Sequence, residues 1–327
     1  MGKGVDYRDA GVFAGGEALR ARGDDPLRYA RRIDRPRNEA AMTTEWPAAP
    51  RAGARLRALR SGSAKATALA LCLAASLAAA ADDVPFVTTP DAVTLAMLEL
   101  AAVTPRDHVV DLGSGDGRIV IAAARRFGAS GLGVEIVPDL VRTSRERARA
   151  AGVGGRVEFR EQDLFATDLG AATVVTMYLL PDVNLQLRPR LLALAAGTRI
   201  VSHDWDLGDW APDRTVTVDV PEKALGRDKF SRVHLWIVPA RLHGRWCADG
   251  ASLEIVQRFQ RFSATLSSAG AATPAAVFDG RIEASTLRSE GFHAFSLQVD
   301  GATLRLVGGV GSAPPRTFAP ARGAACP

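Results

Sequence analysis

The sequence predicts an α/β protein: a parallel sheet covered by helices on both faces, followed by a small all-β module. Three observations carry this prediction. Apolar runs of strand length alternate with helical patterns between residues 107 and 203. The first of those strands runs straight into a glycine turn, Val109-Val-Asp-Leu-Gly-Ser-Gly-Asp-Gly117. From about Leu242 the helical patterns stop and a strand register takes over. Strand–helix alternation folds as a parallel sheet, because parallel strands need a crossover between them.

Length and composition set the frame. With 327 residues, 47% of them hydrophobic, the chain can hold two modest domains and a real core. Its basic balance is local. Residues 1–65 hold twelve Arg and two Lys against eight acids, leaving the rest of the chain near neutrality. The charge therefore gives no support for a nucleic-acid partner. Residues 1–61 show no sustained apolar period; they read as disordered, or as an upstream extension ahead of a start at Met42. Residues 62–81 read as an export signal. Arg55, Arg57, Arg60 and Lys65 precede the apolar run 66–81, with cleavage expected near Ala80 or Ala81. Left uncleaved, residues 66–81 would be a short anchor that associates the chain with a membrane. Once Cys72 is removed, Cys247 and Cys326 remain, either as a bridge or as two free thiols. The five His and three Cys show no metal-ligand spacing.

Residues 82–240 form the first predicted domain. Thr89 is placed as a helix N-cap, Pro90 as the first helical residue and Asp91 at the positive helix end. Strands are expected at about 107–112, 131–135, 156–161, 172–178 and 198–203, with helices at about 117–127, 138–151 and 184–195. Gly128, Gly152 and Gly197 stand where helices stop. Strands at about 214–219 and 232–239 lack a helix between them and read as an antiparallel edge. Residues 241–327 form the β module, of five or six strands. Asp279-Gly280 and Asp300-Gly301 read as hairpin turns, and the tail from Ser312 reads as loose. Gly244-Arg-Trp246 resembles the entry of lipocalin-like barrels.

Ligands of open parallel sheets bind at the carboxyl ends of strands, where the strand order reverses. Asp111, Glu135 and Asp163 stand at three such ends. Glu135 can accept from ribose hydroxyls, and Asp163 from an adenine amino group. Each, taken alone, also fits a helix cap or a solvated loop. The turn reads Gly113-Ser114-Gly115-Asp116-Gly117, a spacing that differs from the dinucleotide fingerprint. Asp116 within it repels a pyrophosphate and suits a cation such as the ammonium or sulfonium of S-adenosylmethionine (SAM). Two readings fit Tyr178, a wall of an acceptor pocket or a core aromatic. Two also fit His203 in Ser202-His203-Asp204-Trp205, a proton acceptor or a packed imidazole fixed by Asp204.

Residues 84–240 resemble the small seven-strand protein-lysine methyltransferases, a group with archaeal broad-specificity members and mitochondrial members acting on the ATP synthase c ring protein. The resemblance is carried by Pro85-Phe-Val-Thr-Thr-Pro90, Asp111-Leu-Gly-Ser-Gly-Asp-Gly-Arg-Ile-Val-Ile121, Gly133-Val-Glu135, Tyr178-Leu-Leu-Pro181, Leu187-Arg-Pro189 and Gly197-Thr-Arg-Ile-Val-Ser-His-Asp204. It implies a Rossmann-like sheet with SAM as cofactor. It implies that Asp111, Gly113, Gly115, Glu135 and Asp163 hold SAM under the 85–90 segment, and Thr88, Thr89, Ser114, Asp116, Gly117 and Leu164 complete the expected cofactor-binding residues. It implies Tyr178 beside the acceptor, and Pro181 and His203 complete the expected catalytic residues. Transfer would be an in-line displacement by a neutral amine, in which the protein aligns and desolvates the reactants. The acceptor is a protein lysine or a small-molecule amine, and no nucleic acid is expected. A non-catalytic SAM-binding or ligand-binding protein is the remaining reading. Compartment stays open: the 62–81 segment points to export, and SAM dependence to the cytoplasm.

Overall fold

In the computed structural model the described residues are 87–223, 228–268, 276–290, 295–308, 316–323 and 326. The predicted extension 1–61 and signal segment 62–81 lie outside them. Helix α1 (Asp91–Leu100) opens the described chain, and β1 (His108–Leu112) follows. Then come α2 (Arg118–Phe127), β2 (Ser130–Glu135), α3 (Pro138–Ala150), β3 (Val157–Glu161), β4 (Val174–Met177), α4 (Pro181–Leu192) and β5 (Arg199–His203). Strands β6 (Arg214–Asp219) and β7 (Phe230–Ile237) complete a seven-stranded sheet of order β3-β2-β1-β4-β5-β7-β6. The first five strands pair in parallel, whereas β7 runs antiparallel to both β5 and β6. The chain proceeds outward from β1 to β3 and then returns to β4 on the other side of β1. That reversal sets a crevice at the carboxyl ends of β1 and β4.

Alternate strand residues enter separate apolar clusters, as the two-residue period of a strand requires. Val109, Val174, Val201 and Val233 pack with Val93, Met97 and Leu98 of α1 and with Ile119 and Ala123 of α2. Val110, Val175, Ile200 and Trp236 pack with Leu187 and Leu191 of α4. Helix α1 starts one residue later than the capping pattern suggests. Pro90 occupies the cap position with no side-chain cap, and the Thr89 hydroxyl turns instead toward His203.

The C-terminal module is a closed barrel of eight strands, where five or six were expected. They are β8 (Gly244–Ala248), β9 (Ala251–Arg258), β10 (Arg261–Ser268), β11 (Ala276–Glu283), β12 (Thr286–Ser289), β13 (Ser296–Asp300), β14 (Thr303–Gly308) and β15 (Thr317–Pro320). Closure removes the exposed edges that an open sheet of this size would present. Trp246, Leu253, Ile255, Phe262, Leu287, Leu304 and Phe318 are among the side chains filling it. Two expectations are corrected. Asp279-Gly280 lies inside β11, where Gly280 passes so close to β12 that a Cβ would sit 2.1 Å from the Arg288 carbonyl oxygen. Within the tail expected to be loose, Thr317–Pro320 pair with β14 and β8. The Cys247–Cys326 disulfide ties the end of the chain to β8. The barrel packs on the loop after β5. Arg281 pairs with Asp213, Arg258 with Asp209 (3.0 Å), and Phe259 stacks on Trp210.

Candidate active site

The glycine turn sits at the strand-order reversal. Gly117 caps α2 with a φ of +79°, and a Cβ there would lie 2.7 Å from the Phe159 ring, so only glycine fits. Gly113 has a φ of +72°, and a Cβ on it would meet Leu179 at 2.9 Å. The amides of Gly113 and Ser114 both donate to the Val134 carbonyl (3.0 and 2.8 Å), which fixes the turn to β2. Glu135 reaches back from the end of β2. Its Oε2 accepts from Gly115 N (3.0 Å), while Oε1 accepts from the amides of Ile136 and Val137 (2.8 and 3.0 Å). The Ser114 hydroxyl is buried and has no hydrogen-bond partner among the described residues. Such an orphan is costly unless a ligand or water meets it.

Asp111 is buried at the end of β1, with Thr176 Oγ1 donating to its Oδ1 at 2.7 Å. Burial, helped by the negative charges of Glu135 and Asp116 and opposed by the Thr176 bond, pushes its carboxyl up to about 7. A buried carboxylate of that kind favours a cation beside it. Asp116 behaves differently from the sequence argument. Arg118 Nη2 and Arg147 Nη1 hold its Oδ2 at 2.7 and 2.5 Å, and Arg118 Nε holds its Oδ1 at 3.0 Å. Burial works against its charge, but the two arginines prevail and hold the carboxyl below the usual range. Two arginines within the protein thus pair with the carboxylate that the sequence assigned to a cationic ligand. Arg118 also donates to the Thr89 carbonyl at 2.8 Å, strapping the entry segment to the turn. Thr88 is exposed and Thr89 buried.

Asp163 is exposed at the end of β3, where its Oδ1 accepts from Phe165 N at 2.8 Å and caps the short 3-10 turn Leu164–Ala166. The capping role, one of its three sequence readings, is therefore present. Leu164 is half-buried beside the core, and Arg190 of α4 holds the carbonyls of Leu164, Phe165 and Thr167.

Across the crevice the Tyr178 and His203 rings stack at 3.8 Å between centroids. His203 is 1% exposed, with Nδ1 3.3 Å from Thr89 Oγ1 and Nε2 2.8 Å from Ser231 Oγ. Burial, together with the nearby Lys223 cation, lowers its pKa to about 4 despite the Asp204 carboxylate. So low a pKa keeps the imidazole neutral near pH 7. The ring is packed against Tyr178 and between Thr89 and Ser231, the second of its two sequence readings. Asp204 has a left-handed φ of +62°; it accepts from Arg232 N (2.8 Å) and pairs with Lys223 (2.7 Å). Burial and the Asp204 charge raise the Tyr178 pKa, so its phenol stays neutral. Pro181 is exposed at the first position of α4, where its missing N–H costs nothing. Its side chain carries no polar group, and its backbone carbonyl is its one hydrogen-bonding atom.

Thr176, Lys223 and Ser231 join this site without having been singled out in the sequence. Lys223 and Ser231 flank the β6–β7 connection, and no local motif marks them. Asp204 stood beside His203 in the sequence, but its strained backbone was not legible there. Among the described residues no cluster of three His, Cys, Asp or Glu side chains could hold a metal ion.

The family model of the ANTKMT methyltransferase domain matches residues 111–214. A protein-lysine N-methyltransferase of Saccharolobus islandicus is 43% identical over 138 residues, 42% of this chain and 86% of that protein. The adenine nucleotide translocase lysine N-methyltransferase of Mus musculus is 39% identical over 105 residues; the match spans 32% of this chain and 46% of that protein. A solved structure described as an RNA methyltransferase from Salinibacter ruber, in complex with S-adenosyl-L-homocysteine, shares 53% identity. It covers 48% of this chain and 96% of that one, with a TM-score of 0.44. The chain belongs to the SAM-dependent protein-lysine N-methyltransferase family.

Proposed function

We propose that the protein transfers a methyl group from SAM to the ε-amino group of a lysine in a protein substrate. The observation that carries this reading is the 43% identity to the Saccharolobus islandicus enzyme, which extends over 86% of that protein. The geometry of the turn fits the cofactor. The glycine cradle and the buried Asp111 together favour a cationic ligand at the turn. Asp111, Gly113, Ser114, Gly115, Gly117 and Glu135 would hold it, with Asp163 and Leu164 at the adenine end. The Thr88-Thr89 entry segment would cover it. When bound, SAM would supply an electrophilic methyl group for the acceptor nitrogen, with S-adenosylhomocysteine as leaving group and one proton lost from the protonated lysine overall. The chain's own contribution is alignment and desolvation. Tyr178 and His203 are both neutral, and the Lys223 cation is paired with Asp204, so no unpaired charge from these residues opposes an incoming lysine. An apolar, partly buried setting lowers the pKa of the acceptor lysine and frees its lone pair.

The separation of Val109 and Val110 into different clusters supports helices on both faces of the sheet. We assign 82–240 to the transferase domain and 241–327 to the barrel. The Cys247–Cys326 bridge supports an oxidising compartment and thus export through 62–81.

The experiment is methyl transfer from labelled SAM to a lysine peptide, with Tyr178→Phe and Glu135→Ala as variants. Tyr178→Phe should lower kcat while SAM affinity stays. Glu135→Ala should weaken SAM binding by about 1.5–3 kcal/mol. Wild-type SAM affinity in Glu135→Ala would sink the cofactor assignment.

A further inference from the structure

Asp111 follows Val109 by two residues along β1, and His203 follows Val201 by two along β5. The two-residue period of a strand turns both side chains to the side of the sheet on which Val109 and Val201 pack against α1. Thr89 stands two residues ahead of α1, at the strand ends on that same side, and is buried there. The entry residues, the cofactor carboxylate and the imidazole therefore share one side of the crevice.

Thr89 is fixed at two places. Its carbonyl accepts from Arg118 Nη1 (2.8 Å), at the start of α2 just after the glycine turn. Its hydroxyl stands 3.3 Å from His203 Nδ1, at the end of β5. In the sheet order β4 lies between β1 and β5, so these anchors sit on strands that are not neighbours. Thr89 thus spans the carboxyl end of β4, and the ground it crosses is the crevice where the strand order reverses.

The groups around the imidazole set the direction of the Thr89 bond. Nε2 stands 2.8 Å from Ser231 Oγ and 3.4 Å from Asp204 Oδ2. Asp204 is itself held by Lys223 Nζ (2.7 Å) and Arg232 N (2.8 Å). A carboxylate only accepts, so it favours the proton of the neutral ring on Nε2. Nδ1 is then the acceptor, and the Thr89 hydroxyl donates to it. Stacking on Tyr178 and near-complete burial keep the ring in that orientation.

We propose that His203 is a positioning residue for the cofactor: through Nδ1 it latches Thr89, and with it the entry segment, across the crevice and over SAM. This inference rests on the SAM-dependent reading and adds what holds the cover in place. The same ring carries Tyr178 on its face, so the cofactor cover and the Tyr178 wall are set by one imidazole.

The test measures the rate of SAM release from the full chain by stopped flow, and KM and kcat in methyl transfer. Thr89→Val removes the donor of the latch. His203→Phe removes the acceptor and keeps a ring against Tyr178. Loss of one neutral hydrogen bond should speed SAM release about three- to tenfold in either variant. KM for SAM should rise by a similar factor, while kcat at saturating SAM stays within about threefold. Thr89→Ser, which returns the hydroxyl, should recover most of the lost retention. The double variant should release SAM no faster than the faster single one, because both changes remove the same bond. Urea unfolding shows that each variant is folded. His203→Phe also strands Ser231, so if it does not fold, the Thr89→Val and Thr89→Ser pair decides. Wild-type release in Thr89→Val would overturn the proposal, as would a Thr89→Ser variant no better than Thr89→Val. Effects that multiply in the double variant would overturn it too, since the hydroxyl would then act on SAM and not on His203. A wild type that binds no SAM would remove the cofactor reading and this inference with it. Transfer to an acceptor other than lysine, with the release rates as expected, would remove the lysine reading and leave the latch supported.

Discussion

Asp111→Asn separates what the buried carboxylate costs from what it does. The carboxyl titrates near 7 in the folded chain instead of 3.8, mainly because it is buried. A folded-state pKa above the unfolded one gives stability that is complete below about 3.8 and lost as pH rises through 7. At about 1.36 kcal/mol per pH unit, the ionised group costs the folded protein roughly 4 kcal/mol at pH 8 and under about 2 kcal/mol at pH 5. Asparagine keeps the shape and can still accept from Thr176. Without SAM, urea unfolding should therefore show Asp111→Asn about 2–4 kcal/mol more stable than wild type at pH 8, with the gap falling by about half at pH 5. The same variant should bind SAM at least about tenfold more weakly, since a hydrogen bond to a charged group is lost. Wild-type affinity for SAM should also fall as pH drops below 7, because the protonated carboxyl no longer attracts a cation. A variant less stable than wild type at pH 8, or a gap independent of pH, would refute the reasoning.

Three further outcomes follow from the same geometry. His203→Ala should cost about 2–4 kcal/mol of stability by opening a cavity and stranding Thr89 and Ser231. With its pKa near 4, His203 should contribute no step to kcat between about pH 5.5 and 8 at saturating SAM, and a step that vanishes in His203→Ala would contradict this. Gly117→Ala combines a left-handed backbone with a contact against Phe159, so calorimetry should show a loss of at least about 1–3 kcal/mol; a neutral effect would argue against the turn as described. The disulfide spans a sequence separation of 79, so Cys247→Ser with Cys326→Ser should destabilise the barrel by about 4 kcal/mol, seen as a lower melting transition that reductant reproduces in the wild type.

The parts of the fold visible in the sequence were those fixed by local backbone chemistry. The glycine turn, the alternation of β1 through β5 and the acids at the ends of β1 and β2 all follow from short-range patterns. What stayed hidden depends on partners that meet only after packing. Asp116 looked available because Arg147, one of its two neutralising partners, stands 31 residues away on α3. What fixes His203 stayed hidden because its burial against Tyr178, Thr89 and Ser231 is a tertiary property. The barrel was undercounted because β12 and β15 are four residues long and too short to show a clear period. Asp279-Gly280 resembled a turn, but this glycine serves close strand packing within β11. Docking of the barrel through Asp209, Asp213 and Trp210 left no local trace.

The central claim is that a lysine nitrogen receives the methyl group of SAM at the Tyr178 face of the crevice. The most direct test is to incubate the full chain with methyl-labelled SAM and a lysine-bearing protein substrate, then locate the label by mass spectrometry of its peptides. The account predicts label on a lysine ε-nitrogen, with S-adenosylhomocysteine released in equal amount and both reduced at least about tenfold in Glu135→Ala at subsaturating SAM. Label on any other acceptor, or S-adenosylhomocysteine formed without lysine methylation, would contradict it.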